Sequence, residues 1–305
     1  MWNPVYTKRI PLDASPLPTI NMLSCPIETA RTDWKRPSVI EVVLGVQFDP
    51  LANLTNGHLG WFWGEMHDTF PTSDDVPPIP PVVEHFDEAI LMGFPGLGFR
   101  QASGDSRLRM SSLDGTRMIQ VQNGWLIVNW MGKPDFRYPG FTGVKELFND
   151  AMSRFGTFLT SRNLGTIKPN LWEVTYINHI PQGTVWNTLA DIPMVFPGLF
   201  GDGQCPNGTR EAVHSTWSWR LEPTPGRLRV SVQSAKANAA GSTDILLVRS
   251  VARGPLGSEN APTLDEGLNF GRSTVVDTFM GLASEDAKRY WKGETEHDAL
   301  RPTDE

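Results

Sequence analysis

The sequence has little cysteine, and its two thiols, Cys25 and Cys205, are too few for a disulfide framework. They cannot complete a structural zinc site without histidines at ligand spacing. No two of the six histidines lie three or four residues apart, the helical spacing that aims both at one metal. Reduced thiols in a cytosolic protein are the simplest interpretation.

Long apolar runs are also missing. No stretch approaches about 18 uninterrupted apolar residues, the length that spans a membrane. Lys8 and Arg9 are followed by Pro11, Pro16 and Pro18 instead of the apolar core of a signal peptide. We therefore expect a cytoplasmic protein that has no membrane partner.

Positive charge is in short supply as well. The 27 Lys and Arg residues stand against 34 Asp and Glu residues, a formal net charge of −7. With this balance the protein has no overall positive potential that would attract a polyanion. Nucleic-acid binding is therefore disfavoured and would need a local basic face. The 305 residues do contain 39% hydrophobic residues and 11 Trp, enough to bury a sizeable core.

Composition and pattern divide the chain into four parts. Residues 1–36 carry five prolines and no sustained hydrophobic period, which is typical of an extended N-terminal arm. Residues 37–165 and residues 166–291 each carry a full set of strand and helix patterns. Residues 292–305 are a polar C-terminal tail.

In the first of these two segments, the β-branched run from Val39 to Phe48 predicts a core strand. Apolar spacing from Asn56 to Phe70 predicts a helix. Closely spaced prolines within residues 71–95 predict an exposed polyproline-like linker. Four meander strands and a long amphipathic helix are then predicted over residues 98–102, 107–112, 117–122, 125–130 and 142–161.

The second segment repeats this order. A strand beginning at Pro169 has Pro, Glu and Val at the same offsets as the first strand, and a short helix is predicted from Val185 to Asp191. The last helix begins at a capping box formed by Thr263 and Glu266. Three strands are predicted between these helices, over residues 215–221, 227–234 and 244–251.

The repeated order predicts an α+β protein made of two tandem units, each a strand, a helix, an antiparallel meander and a long helix. Each long helix would cover one face of its meander, burying Phe155 and Phe279 and leaving the other sheet face as one broad surface. This is a helix-grip or TATA-binding-protein-like arrangement, a likeness of fold alone. The alternative is an unduplicated α+β domain whose elements merely alternate.

Three motifs carry a resemblance to a known family. They are the run Pro37 to Phe48 (PSVIEVVLGVQF), the central run WEVTYINHI that begins at Trp172, and the run Phe279 to Trp291 (FMGLASEDAKRYW). Over residues 37–291 the chain resembles a family of uncharacterised proteins distributed sporadically in bacteria and archaea. The resemblance implies a small soluble protein without an assigned activity. The patchy distribution implies horizontally transferred genes, often of defence or conflict systems.

Two acidic residues, Glu41 and Glu173, interrupt apolar strands at equivalent places of the predicted repeat. A carboxylate there needs a salt bridge to an arginine of a neighbouring strand, or a place on the uncovered sheet face. A ligand-contacting role is the alternative. Tyr176 and Asn178 share one side of their strand, and they would form the floor of a cleft if that side faces away from the helices.

Arginines in the predicted meanders are the best argument for an anion-binding surface. Arg227 and Arg229 share a strand face, and three further arginines occupy the first meander. The tryptophans of the same strands could stack nucleic-acid bases or belong to the core. The residues concerned are Arg107, Arg109, Arg117, Trp125, Trp130, Trp217 and Trp219.

We find no catalytic constellation, metal site or cofactor motif in the sequence. The leading hypothesis is a non-enzymatic binding or assembly protein, with a protein partner or a second copy of the chain. Its candidate ligand-binding residues are Glu41, Glu173, Tyr176, Asn178, Arg227 and Arg229. An anion- or nucleic-acid-binding saddle is the first alternative, and an enzyme with an unrecognised site is the second.

Overall fold

A computed structural model of the chain describes residues 34–82, 84, 106–200, 205, 207–237, 243–258 and 261–294. These residues belong to one compact unit that begins at Trp34. Residues 1–33 of the predicted N-terminal arm, the predicted strand at residues 98–102 and most of the predicted C-terminal tail lie outside the described residues. Among the described helices, none has the length and apolar character needed to cross a bilayer.

Within the described residues, the first half of the chain has five strands and two helices, and the second half has four strands and three helices. The first set is β1 (Val39–Phe48), α1 (Asn56–Met66), β2 (Thr72–Val76), β3 (Arg107–Ser111), β4 (Arg117–Gln122), β5 (Trp125–Met131) and α2 (Gly140–Ser161). The second set is β6 (Pro169–Pro181), α3 (Ile192–Val195), β7 (His214–Leu221), β8 (Gly226–Lys236), β9 (Asp244–Pro255), α4 (Leu264–Leu282) and α5 (Glu285–Lys292).

The nine strands form one sheet in the order β2-β3-β4-β5-β1-β6-β9-β8-β7. Every neighbouring pair is antiparallel. Along this strand order, the strands of the first half of the chain are therefore neighbours of one another, and so are the strands of the second half. The two groups meet at the centre of the sheet, where β1 pairs with β6. The prediction of an α+β fold is confirmed.

The main core lies between the sheet and the helices. Helix α2 packs on β5 and β1, and α4 packs on β6 and β9. The alternation of side chains along a strand turns Val42, Leu44 and Val46 of β1 toward this layer, where all three are fully buried. Phe155 of α2 and Phe279 of α4 are buried there as predicted.

Close approach of α4 to the sheet depends on glycine. The fully buried indole of Trp172 on β6 lies against Gly267 and Gly271 of α4. A Cβ atom at Gly267 would lie 2.5 Å from Trp172 Cδ1, and one at Gly271 would lie 2.6 Å from Trp172 Cζ3. Larger residues at these two positions would push the helix off the sheet.

Two sequence predictions differ from the structure. Strand β2 lies where a linker was predicted, and it forms because its backbone pairs with the edge of β3. The helix predicted from Val185 to Asp191 occurs later, as a 3₁₀ turn at Leu189–Asp191 followed by α3. Thr188 is the cap that begins this turn, since its side chain and that of Asp191 form a capping box.

We predict that Gly267→Ala lowers the free energy of unfolding by about 1–3 kcal/mol, the usual cost of overpacking a core. The matched control is Gly156→Ala in α2, where an added Cβ meets nothing within 4 Å. That change should raise stability by about 0.5–1 kcal/mol, because alanine is the better helix former. Urea titrations of the three proteins test this, and a Gly267→Ala variant as stable as the control would contradict it.

Candidate functional site

The sheet face turned away from the main core, here called the outer face, collects most of the predicted site residues. Side-chain alternation directs Glu41 and Gln47 of β1, Glu173 of β6 and the arginines of β8 and β9 to this face. A small apolar cluster separate from the main core also lies here. It consists of Trp125, Ile127 and Leu171, with Val43, Ile79 and Val82 packed against it.

An extended segment of the same chain crosses the outer face. After β2 ends at Val76, residues 77–82 and Glu84, together called the strap, contact in turn β4, β1 and the pair β8 and β9. Its four prolines are exposed, whereas Ile79 and Val82 are half-buried. A spacing of three residues is the period of polyproline II, so both apolar side chains face the sheet.

Two glutamine side chains hold the strap backbone. Gln122 of β4 accepts a hydrogen bond from Ile79 N at 2.8 Å and donates one to Ile79 O at 2.8 Å. Gln47 of β1 accepts from Val82 N at 2.7 Å and donates to Val82 O at 3.2 Å. Each amide thus satisfies both polar groups of one strap residue, as a neighbouring strand would.

The strap ends in an arginine cluster. Arg227 Nη1 of β8 donates to Glu84 Oε2 at 2.8 Å, and Arg229 of the same strand donates to Glu84 Oε1. Arg253 Nη1 of β9 lies 3.5 Å from Glu84 Oε1. The side chains of Glu84 and Arg227 are only 5% and 6% exposed, so this ion pair is buried and weakly screened by solvent.

The strand register explains why an acid is needed here. Arg227 lies directly opposite Arg253, which in turn lies directly opposite Glu173 of β6. Like charges in such cross-strand positions repel each other. Glu84 bridges the two strands from above, and Arg253 Nε also donates to Glu173 Oε2 at 2.5 Å.

Opposing effects act on the Glu84 carboxyl. Burial alone would raise its pKa, but the hydrogen bonds from Arg229 and Arg227 and the charges of Arg229 and Arg253 outweigh burial, so the pKa lies below the ordinary value of 4.5. Glu84 is therefore ionised at neutral pH.

The other predicted acid takes part in a different network. Asn129 Nδ2 of β5 donates to Glu41 Oε1 at 2.5 Å, and Gln120 Nε2 of β4 donates to Asn129 Oδ1 at 2.7 Å. Glu41 and Glu173 thus share the outer face, but only Glu173 contacts the arginine cluster. Its second carboxylate oxygen accepts from Thr175 Oγ1 at 3.0 Å.

Tyr176 and Asn178 do not belong to the outer face. They share a strand side with Trp172 and Val174, which pack under α4. The Tyr176 hydroxyl lies 3.3 Å from that of Tyr138, and burial raises its pKa. Asn178 accepts a hydrogen bond from Ser38 in a buried position. The condition for a cleft floor, that this side of the strand faces away from the helices, is therefore not met.

The predicted arginines and tryptophans are divided between the two faces. Arg107 and Arg109 alternate with core residues of β3 and face outward, whereas Arg117 is on the core side of β4, with its guanidinium 5.9 Å from the Phe70 ring centroid. Trp130, Trp217 and Trp219 share strand faces with core residues as well. Trp125 lies on the outer face beneath the strap, so the tryptophans do not form a stacking row beside the arginines.

Sequence reasoning missed four residues of this site: Gln47, Gln122, Glu84 and Arg253. Two signals in the sequence point to the strap, namely the proline pairs and the apolar residues at positions 76, 79 and 82.

Within the described part of the chain, no three His, Cys, Asp or Glu side chains are grouped closely enough to hold a metal ion. Comparison with protein-family models and with curated proteins finds no match to the chain.

We predict that Glu84→Gln lowers the free energy of unfolding by about 2 kcal/mol at pH 7, because it removes the carboxylate that pairs with the buried Arg227 and with Arg229. The folded-state pKa of Glu84 is depressed, so its contribution is complete above about pH 4.5 and is lost as the pH falls through the folded-state value. The difference between wild type and variant should therefore narrow in acid.

Urea titrations from pH 7 down to about pH 3 test the Glu84 prediction, since the loss is expected below the unfolded-state pKa. Asp286→Asn is the control, because Asp286 forms an exposed ion pair with Arg289 on α5, and its loss should cost less than about 1 kcal/mol. A difference between wild type and Glu84→Gln that stays constant over this pH range would contradict the account.

Proposed function

We propose that this chain is a non-enzymatic binding protein that engages a partner polypeptide through its outer face. The observation that carries the proposal is the way in which Gln122 and Gln47 pair with the backbone of the strap. A surface that satisfies main-chain groups on both sides of an extended residue has the chemistry of peptide recognition. The apolar cluster beneath the strap supplies contacts for side chains at successive turns of the segment.

A duplicated architecture would account for the breadth of this surface. We propose that residues 37–165 and 166–291 are tandem copies of one helix-grip or TATA-binding-protein-like unit. The strand order β3-β4-β5-β1 of the first half has its counterpart in β7-β8-β9-β6 of the second. Helices α2 and α4 also begin at the same interval after β5 and β9, and Phe155 and Phe279 follow at the same distance along the chain.

The biological setting of the proposal rests on sequence resemblance. Likeness to a sporadically distributed bacterial and archaeal family supports a role in a defence or conflict system. The partner is then a protein of that system or a second copy of the chain, bound in the cytoplasm. The genes next to the one that encodes this chain would identify candidate partner proteins.

An anion- or nucleic-acid-binding saddle is the second candidate, and the arginine cluster is the observation that favours it. Two features weigh against it. The cluster already contains the carboxylates of Glu84 and Glu173, and the tryptophans available for stacking bases are not displayed beside it. A polyanion would have to displace Glu84 before it met the arginines.

A peptide with the sequence of residues 74–84 provides a direct test. The receptor is the full chain with Ile79→Ser, Val82→Ser and Glu84→Gln, called the strap-released chain, which keeps the outer face and weakens its occupant. We expect saturable binding of the labelled peptide below about 1 mM, since a tethered segment acts at an effective concentration of that order. Fluorescence anisotropy measures it.

Two controls define the outcome. A peptide with serine at positions 79 and 82 should bind at least about tenfold more weakly, because it lacks the apolar contacts. A single-stranded oligonucleotide should not bind at moderate salt. Equal binding of the two peptides, or tight salt-dependent binding of the oligonucleotide alone, would overturn the proposal.

A further inference from the structure

The strap is bound to the outer face in the manner of a peptide ligand. Its main chain is held at Ile79 and Val82 by side-chain amides, its apolar side chains enter a separate cluster, and its carboxylate enters the arginine cluster. A segment that meets all three kinds of contact within eight residues fills the site that a partner would use.

We propose that the strap is a built-in, displaceable occupant, and that the partner segment that replaces it has the same chemistry. That segment is an extended peptide with two apolar residues three positions apart and a carboxylate two positions after the second. The inference rests on the proposed function and specifies its ligand. The strap then keeps the outer face closed until such a segment competes for it.

The carboxylate is required because the arginine cluster cannot be left without one. Arg227 and Arg253 are directly opposite neighbours on adjacent strands, and Arg229 adds a third guanidinium on the same face. Release of Glu84 without replacement would carry the free-energy cost of removing the carboxylate that contacts all three guanidinium groups. A ligand that carries its own carboxylate removes this penalty, whereas a neutral peptide does not.

The strap can be released without loss of the main core. Among the described residues, Ile79 and Val82 pack on the small outer cluster, whose members are distinct from those of the main core. The prolines of the strap are exposed, and four of the five residues of β2 before it are exposed too. Segments with few buried apolar contacts open at low free energy compared with the whole fold.

The polyproline spacing identifies the partner as a peptide rather than another anion. Phosphate or a nucleotide could occupy the arginine cluster, but neither would use the paired amides of Gln47 and Gln122 or the apolar cluster. Those two features are served only by a polypeptide backbone with side chains at a period of three.

The first experiment compares two peptides on the strap-released chain. One has the sequence of residues 74–84 with an amidated C-terminus, and the other is the same amidated peptide with Gln in place of Glu at position 84. We expect the Glu peptide to bind at least tenfold more tightly, because the neutral Gln amide forms no ion pair with the arginines. Equal affinities would overturn the carboxylate requirement and leave the proposed function standing, whereas no binding by either peptide would overturn both.

The second experiment uses the wild-type chain and needs no variant. Hydrogen exchange of the Ile79 and Val82 amides, which are hydrogen-bonded to the glutamines, reports whether the strap is seated. We expect several millimolar Glu peptide to speed this exchange at least tenfold while the amides of α4 stay protected. The Gln peptide should have a smaller effect. Strap amides that stay protected while the Glu peptide is bound would overturn displacement.

Discussion

The arrangement of the outer face depends on one ion-pair cluster, in which the carboxylate of Glu84 lies among Arg227, Arg229 and Arg253. Strand register places two of these guanidinium groups directly opposite each other, so the sheet itself creates a demand for an anion on its outer face. The chain meets that demand with a residue more than 140 positions away in sequence. The path of the strap across the sheet follows from this long-range attachment and from the two glutamines along the way.

The two sheet faces carry different sets of side chains because side chains alternate along each strand. One face carries the main core, where Trp172 fits against Gly267 and Gly271 and sets the approach of α4. The other carries a small apolar cluster and a set of polar groups that recognise an extended backbone. The residues that pack under the helices are thus distinct from those of the small apolar cluster beneath the strap.

Local patterns in the sequence predicted much of this fold. The β-branched run of β1, the apolar stripe of α2 and the capping box at Thr263 each depend on neighbours in sequence, and each is seen in the structure. Tyr176 and Asn178 were misassigned because a period of two shows that residues share a face but not which face the helix covers. Glu84 and Arg253 were missed because their pairing depends on strand order and register, which a single sequence does not display.

Direct contact between Glu84 and the arginines should couple their contributions to the free energy of unfolding. A double-mutant cycle with Glu84→Gln and Arg229→Met, measured by urea titration at pH 7, tests it. The account predicts a coupling energy of at least about 1 kcal/mol, in the range found for residues in one ion-pair network. Arg249→Met is the matched control, because Arg249 is exposed on the same side of β9, and its coupling to Glu84 should be below about 0.5 kcal/mol. Additive effects of Glu84→Gln and Arg229→Met would contradict the account.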